Sequence, residues 1–353
     1  MIRLILLAVT PLAPLLHYVL HVPPIWVFVV GIAGVAILAE WIRAATDELA
    51  QHTGPAIGSL LTVSLGSVAE LLLALFVLMA GQPDVVHAQI TGSILGTSLL
   101  GLGLAIVVGG AARDRQQFKR ARAGLLSSLL ILVVIVLLLP AVFDLTGRHI
   151  LHAGHTGQRD EQLSLTVSAV LLLLYAANLA YTLITHRDVF STGEEPGGKP
   201  SWSLALCLGV LAAATVGAAL ESELISGALT QAAQSLHLTP IFLGVIVLAL
   251  VGTISDLFAA VWFARQNRMG MVMSICIGSA IQVALVVAPL LVILSWLLGK
   301  PMTLVFSDPL ELFAIAGTAF IVNAIAGDGE TTWFEGVLLI GVYAVFGLAF
   351  FFA

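Results

Sequence analysis

The amino-acid sequence predicts an all-α polytopic membrane protein with eleven transmembrane helices, an extra first helix followed by two inverted five-helix repeats. Of the 353 residues, 59% are hydrophobic and 10% are charged, against roughly 25% charged in an ordinary soluble domain. The mean hydropathy is +1.09. Long apolar runs recur along the whole chain, and two short motifs each occur twice at one fixed offset. This composition excludes a soluble globular domain and a disordered chain.

Eleven apolar runs are long enough to cross a bilayer, whose core requires about 20 apolar residues per helix. The first run lacks a small-residue cleavage site, so we interpret it as a helix and not as a signal peptide. The runs lie near 4–22, 24–45, 55–80, 88–110, 123–143, 163–185, 202–227, 240–263, 271–298, 302–326 and 334–353.

These runs divide the chain into four parts. Residues 1–23 are the extra first helix, 24–187 the first five-helix repeat, 188–200 a linker, and 201–353 the second repeat. The linker is rich in Gly, Glu and Pro, a composition typical of connecting segments.

The distribution of basic residues predicts the orientation, because Lys and Arg are retained on the cytoplasmic side. Three basic residues, Arg148, Arg159 and Lys300, fall on the face that carries the loops after odd-numbered segments. The other eleven of the fourteen, Arg43 among them, fall at the amino terminus or after even-numbered segments. We therefore expect a multi-pass protein of the cell membrane with a cytoplasmic amino terminus, a cytoplasmic linker and an extracytoplasmic carboxyl terminus.

An internal repeat is visible in four segments. The third segment contains Gly-Ser-Val-Ala-Glu at 66–70 and the eighth contains Gly-Thr-Ile-Ser-Asp at 252–256. The fourth and ninth contain Gly-Ser-Ile-Leu-Gly at 92–96 and Gly-Ser-Ala-Ile-Gln at 278–282, and both pairs are offset by 186 residues. Segments three and eight run in opposite directions, so the repeat is inverted, as in many secondary transporters with a midplane site. Close helix packing through small residues is the alternative explanation for the glycines and serines.

Each half of the repeat places one acid, Glu70 or Asp256, near the middle of its segment. A charged side chain there costs at least ~2.5 kcal/mol. The third, fourth, eighth and ninth segments contain no Lys or Arg at comparable depth, so we expect the acids to be partnered by a cation or by protons. Two neighbouring acids raise each other's proton affinity, and a metal ion between them competes with protons for the same oxygens.

The residues around the acids are the candidate metal ligands. Ca²⁺ takes six to eight oxygens from carboxylates, carbonyls, hydroxyls and water. We expect Gly66 and Gly252 to break their helices and expose carbonyls, and Ser67 and Thr253 to add hydroxyls, unless the hydroxyls bond their own helices. Zinc and copper prefer His and Cys, which these motifs lack. The predicted metal ligands are Glu70, Asp256, Gly66, Ser67, Gly252 and Thr253.

A wider set of polar residues is predicted to line the cation and proton pathway. Glu40, Glu221 and Glu223 are expected to flank the access routes, with a snorkelling position at the membrane interface as the alternative. The three histidines at 149, 152 and 155 leave metal binding and plain solvation both open. The predicted pathway residues are Ser93, Ser279, Gln282, Glu40, Glu221 and Glu223.

These motifs resemble those of the calcium/proton exchangers in the cation/calcium antiporter superfamily. The resemblance covers most of the chain, from Thr-Asp-Glu-Leu-Ala at 46–50 through the paired motifs to Asp-Gly-Glu at 328–330. It implies eleven helices in two inverted halves, and Ca²⁺ transport driven by an opposite flow of protons.

Four positions in or directly after the glycine–acid motifs depart from the family pattern, which has Asn after each motif glycine and Glu-His in the second half. Here they are Ser67, Thr253, Asp256 and Leu257, and Thr97 also replaces a common Asn. Exchange of Na⁺ or K⁺ for H⁺, or of Na⁺ for Ca²⁺, on the same fold therefore stays open as an alternative.

Other functional classes have less support from the sequence. A cation channel selects ions with rings of acids, whereas these two acids come from one internally repeated chain. Protease signatures, a P-loop and a dinucleotide fingerprint do not occur, so we predict no enzyme. The net charge of −6 and the lack of a basic patch argue against nucleic acid. We expect membrane lipid, inorganic cations and protons as partners and no cofactor, and the oligomeric state, a homo-oligomer included, stays open.

Overall fold

The computed structural model describes residues 9–53, 58, 61, 65–111, 113, 115–149, 157–181, 201–306 and 308–353. Within these ranges nine helices are long and apolar enough to span a membrane, and Val68–Met79 is a shorter apolar helix. The predicted polytopic, helical membrane protein is thereby confirmed. The count of eleven spans stays a prediction, because the start of the first segment and much of 54–64 lie outside the described residues. His152, His155 and the predicted linker at 188–200 also lie outside them.

The helices are connected mostly by short loops. They are α1 (Leu12–Tyr18), α2 (Pro24–Thr53), α3 (Val68–Met79), α4 (Pro83–Leu95), α5 (Leu102–Gly110), α6 (Arg120–His149), α7 (Gly157–Ala180), α8 (Leu204–Leu236), α9 (Pro240–Phe242), α10 (Ala249–Arg265), α11 (Met269–Gln282), α12 (Ala288–Leu297), α13 (Pro309–Ala326) and α14 (Trp333–Phe352). Two short strands, β1 (Gln116–Gln117) and β2 (Glu330–Thr331), pair antiparallel.

Within the described ranges, three π-helical segments interrupt the spans next to the predicted site: π1 (Gly96–Gly101), π2 (Leu243–Leu248) and π3 (Val283–Val287). π1 joins α4 to α5, and π3 joins α11 to α12 at nearly the repeat offset from π1. π-helical turns are rare and occur frequently at functional sites. No sequence pattern predicted them.

The backbones of α4 and π2 touch where they cross. A Cβ atom placed on Gly92 would lie 1.9 Å from the Val245 carbonyl oxygen, and one on Gly244 would lie 2.8 Å from the Val85 carbonyl oxygen. Only glycine fits at either position, since ordinary non-bonded contacts lie near 3.5–4.0 Å. These contacts fix the crossing of two motif-bearing spans, the one with the motif at 92–96 and the one with the motif at 252–256.

Loop contacts sort the connections into two faces. On one face, β1 follows the fourth predicted segment and pairs with β2, which follows the tenth. On the other, Lys300 donates to the Met79 carbonyl oxygen, and Gln82 donates to the Thr230 hydroxyl at 3.0 Å. This sorting agrees with the predicted alternation of loops after even-numbered and odd-numbered segments.

Candidate cation site

Glu70 lies in the first turn of α3, packed against α10 of the other half. Its side chain is buried, with 4% of the residue exposed. A Cβ atom on Gly252 would lie 3.1 Å from Glu70 Cγ. Glu70 therefore occupies space that is free because residue 252 has no side chain. Gly252 itself lies one helical turn before Asp256 in α10.

The Glu70 carboxyl group has few protein partners. Its Oε1 atom is buried and has no hydrogen-bond partner among the described residues. Ser93 of α4 lies beside it, but the Ser93 hydroxyl makes no hydrogen bond of regular geometry. Gln89 of α4 donates to the Glu70 backbone carbonyl oxygen at 3.3 Å. A buried carboxylate oxygen without a donor is a position that a proton or a cation would satisfy.

Asp256 lies in the middle of α10 and has more partners than Glu70. Ser279 of α11 donates its hydroxyl proton to Asp256 Oδ2, and 30% of the Asp256 side chain is exposed. Ser93 and Ser279 are therefore placed alike, each beside the acid of the preceding segment. The two acid–serine pairs are separated by the same offset as the sequence motifs.

The expectation that the acids have only a cation or a proton as counter-charge is wrong for Asp256. Arg43 of α2 places Nη1 3.6 Å from Asp256 Oδ1 and donates to the Ser255 carbonyl oxygen at 2.5 Å. The four motif-bearing segments contain no such charge, and the sequence pattern groups Arg43 with the orienting charges of the cytoplasmic face. A helical spacing did mark it, since Glu40, Arg43 and Asp47 recur on one side of α2.

Of the two glycines predicted as ligands, Gly66 and Gly252, only Gly66 lies at a helix break. Ser67 adopts a turn conformation before α3 begins at Val68. Gly252, in contrast, lies inside α10, which continues without a break to Arg265. The prediction that Gly252 opens its helix is therefore wrong, because its carbonyl group lies in the regular helical ladder. Its structural role is the contact with Glu70.

The hydroxyl and amide candidates occupy different environments. Thr253 is buried, and its hydroxyl donates to the Ala249 carbonyl oxygen of its own helix at 2.9 Å, as the alternative explanation anticipated. A Cβ atom on Gly96 would lie 3.6 Å from that hydroxyl oxygen, so Thr253 faces α4 and π1. Ser67 and Gln282 are half-buried, and their ligation stays a prediction.

The three acids predicted to flank access routes lie in different environments. Glu40 and Ser255 line a mostly apolar cavity of about 550 Å³ between α2 and α10. Glu221 is 2% exposed and packs against α2, where a Cβ atom on Gly34 would lie 3.1 Å from Glu221 Oε1. The snorkelling alternative is therefore wrong for Glu221. Glu223 is exposed.

Within the described part of the chain, no group of three or more His, Cys, Asp or Glu residues is arranged to hold a metal ion. Only the first of the three loop histidines, His149, is described. Around Glu70 and Asp256 the possible ligands are carboxylate oxygens with hydroxyl and carbonyl neighbours, a hard donor set of the kind that Ca²⁺ takes.

Comparisons with known proteins agree with this architecture. A family model described as sodium/calcium exchanger protein matches residues 23–184 and 206–352. A Ca²⁺/H⁺ antiporter of Aphanothece halophytica is 38% identical over 98% of this chain and 95% of its own. The Ca²⁺/H⁺ antiporter ChaA of Bacillus subtilis is 35% identical over 94% and 93%.

A solved structure shows the same fold. That of native YfkE superimposes with a TM-score of 0.84 at 31% identity, covering 100% of both chains. The match extends over the family model's two blocks, one on each side of the linker. The resemblance to calcium/proton exchangers is confirmed, and the chain belongs to the sodium/calcium exchanger family as a member of its calcium/proton exchanger group.

Proposed function

We propose that this protein is a secondary antiporter that exchanges Ca²⁺ for H⁺ by alternating access, and that Glu70 and Asp256 hold both ions in turn. The observation that supports this most is the pairing of two acids from opposed halves at one helix crossing. Glu70 occupies the space beside Gly252, one turn from Asp256. Relatives 35–38% identical over almost the whole chain are Ca²⁺/H⁺ antiporters.

The exchange follows from competition for the same carboxylate oxygens. Protonated acids are neutral and tolerate burial, whereas two deprotonated acids repel each other unless a cation lies between them. Ca²⁺ entering the site replaces the bound protons, and protons returning from the other side release Ca²⁺. The two acids supply up to four of the six to eight oxygens that Ca²⁺ requires.

The remaining ligands in this proposal come from the neighbouring motif residues and water. Ser67 and Thr253 supply hydroxyl oxygens, and Gly66 supplies a carbonyl at the break before α3. Gly252 acts by making room for Glu70. Ser93 and Ser279 lie beside the acids and position them, and Gln282 follows one turn later on α11.

The finer architecture belongs to the same proposal. Eleven spans, with 24–187 and 201–353 as inverted repeats after an extra helix at 1–23, give the two acids their opposed helices. The amino terminus lies in the cytoplasm, the carboxyl terminus outside, and membrane lipid surrounds the bundle. Glu40, Glu221 and Glu223 serve the access routes, with Glu221 acting from its buried position between α2 and α8.

Proteoliposomes test this proposal. Ca²⁺ uptake by reconstituted protein is measured under an imposed pH gradient, and then under matched Na⁺ and K⁺ gradients without one. Uptake driven by the pH gradient alone supports proton coupling. Uptake that ignores the pH gradient and follows Na⁺ or K⁺ would establish the alternative exchangers, and Ca²⁺ flux without any gradient of counter-ion would indicate a channel.

A further inference from the structure

Arg43 lies between two acids, one of which belongs to the proposed cation site. Its Nη1 atom is 3.6 Å from Asp256 Oδ1, and its Nε atom is 3.9 Å from Asp47 Oδ2, one helical turn further along α2. Nη1 also donates to the Ser255 carbonyl oxygen at 2.5 Å. The guanidinium is thus anchored at the site and faces a second acid.

The two acids differ in their access to water. The Asp256 side chain is 30% exposed and the Asp47 side chain is 49% exposed, since Asp47 lies nearer the end of α2 at Thr53. A pair with Asp256 is less screened by water, whereas a pair with Asp47 is better hydrated. Arg43 therefore has an inner partner within the site and an outer partner next to it.

A guanidinium bound to Asp256 does electrostatically what a transported cation would do. The positive guanidinium balances the negative charge of the Asp256 carboxylate, so this carboxylate can stay deprotonated within the membrane protein. Ca²⁺ and the guanidinium cannot both pair with Asp256 at low cost, because two positive charges a few ångströms apart repel each other. Binding of Ca²⁺ therefore requires the guanidinium to leave Asp256.

We propose that Arg43 is a tethered counter-ion that pairs with Asp256 while this acid holds neither Ca²⁺ nor a proton, and that it shifts to Asp47 when Ca²⁺ binds. Because it rests on the proposed function, this inference concerns the affinity of that same site. Arg43 competes with Ca²⁺ and weakens its apparent affinity, and Asp47 strengthens it by accepting the displaced guanidinium. Arg43 is a positioning residue here, and it need not touch the transported ion.

The test is the Ca²⁺ dependence of uptake in proteoliposomes under a fixed pH gradient, recorded as KM and maximal rate. Arg43→Gln removes the competitor, so KM is expected to fall about fivefold or more, the lower end of typical coupling between sites. Arg43→Lys keeps the charge and should stay near the wild-type KM. Asp47→Asn removes the outer partner and should raise KM.

The double variant Arg43→Gln/Asp47→Asn distinguishes a shared guanidinium from two separate effects. If Asp47 acts only through Arg43, the double variant has the KM of Arg43→Gln alone, and the effects are non-additive. Arg265→Gln is the matched control, because it removes an exposed arginine at the end of α10, away from both acids.

Several results would overturn the inference. An unchanged or raised KM in Arg43→Gln, with only the maximal rate reduced, assigns Arg43 a purely structural role. An equal fall in KM in Arg265→Gln would show that the effect comes from the loss of any surface positive charge and not from the Arg43–Asp256 pair. If Arg43→Gln does not fold, Asp47→Asn decides, and an unchanged KM there contradicts the shift of partner. Wild-type protein that takes up no Ca²⁺ under the pH gradient refutes the proposed function itself, whereas intact wild-type uptake with unmoved KM values refutes only this inference.

Discussion

The crossing of α4 with π2 provides a stability test of how the two halves fit together. Gly92 and Gly278 occupy equivalent positions of the sequence repeat, yet their surroundings differ. A Cβ atom on Gly92 would lie 1.9 Å from the Val245 carbonyl oxygen and 2.6 Å from Ala249 Cβ, whereas one on Gly278 has no neighbour within 4 Å in the part of the chain that the structure describes. Gly92→Ala and Gly278→Ala are therefore a matched pair of substitutions.

The cost of Gly92→Ala follows from the displacement it requires. An ordinary non-bonded contact needs about 3.5 Å, so the two backbones must separate by roughly 1.6 Å. Overpacking a core typically costs 1–3 kcal/mol. Here the obstacle is backbone and cannot rotate away, so we expect a loss of about 3 kcal/mol or more in the free energy of unfolding. Gly278→Ala meets no obstacle and should be neutral, or stabilising by up to about 1 kcal/mol through helix propensity.

Thermal unfolding of the detergent-solubilised variants measures this difference. Each variant is heated, and the protein that remains folded is quantified by size-exclusion chromatography. At about 2 °C per kcal/mol for a large chain, Gly92→Ala should lower the apparent Tm by at least about 5 °C. Gly278→Ala should leave it unchanged or raise it. Equal Tm values for the two variants, or a larger fall for Gly278→Ala, would refute the described crossing.

Three further expectations concern transport and capping. Ser279→Ala removes the hydroxyl that donates to Asp256, and because hydrogen bonds to charged groups contribute about 1.5–3 kcal/mol, KM for Ca²⁺ uptake should rise roughly tenfold. Ser274→Ala, whose hydroxyl bonds its own helix at the Gly270 carbonyl oxygen, should leave KM unaltered; equal effects would count against the Ser279 contact. In the proposed site protons and Ca²⁺ occupy the same oxygens, so KM should rise as the pH on the loading side falls. A KM independent of pH in transport assays would be incompatible with shared ligands. Glu335 accepts from the Thr332 backbone N–H at 2.9 Å, so Glu335→Ala should cost about 1 kcal/mol in thermal unfolding with KM unchanged, and a shifted KM would place Glu335 in the transport path.

Much of the fold and the acid pair could be predicted from the sequence. Hydropathy alone located the nine spans that the structure describes, because runs of about 20 apolar residues are typical of helices that cross a bilayer. The fixed offset between the motifs located Glu70 and Asp256, and with them Ser93 and Ser279. These predictions rest on patterns that are local or repeated along the chain, which is where a single sequence is most informative.

Two features of the site could not be predicted in this way. A π-helical turn inserts one residue into a helix without changing its apolar composition, so π1 and π3 leave no trace in hydropathy. The Arg43–Asp256 pair joins α2 to α10 across more than 200 residues. This pair can be recognised only once the packing of the helices is known. The same holds for Gly252, whose missing side chain leaves space for Glu70.

The proposed exchange requires that Ca²⁺ and protons share Glu70 and Asp256. Its most direct test is proton release when Ca²⁺ is added to purified protein in weakly buffered solution, compared among wild type, Glu70→Gln, Asp256→Asn and the surface control Glu330→Gln. We expect proton release in wild type and in Glu330→Gln, and its loss in the two site variants. Ca²⁺ binding without proton release in wild type, or undiminished release from both site variants, would contradict it.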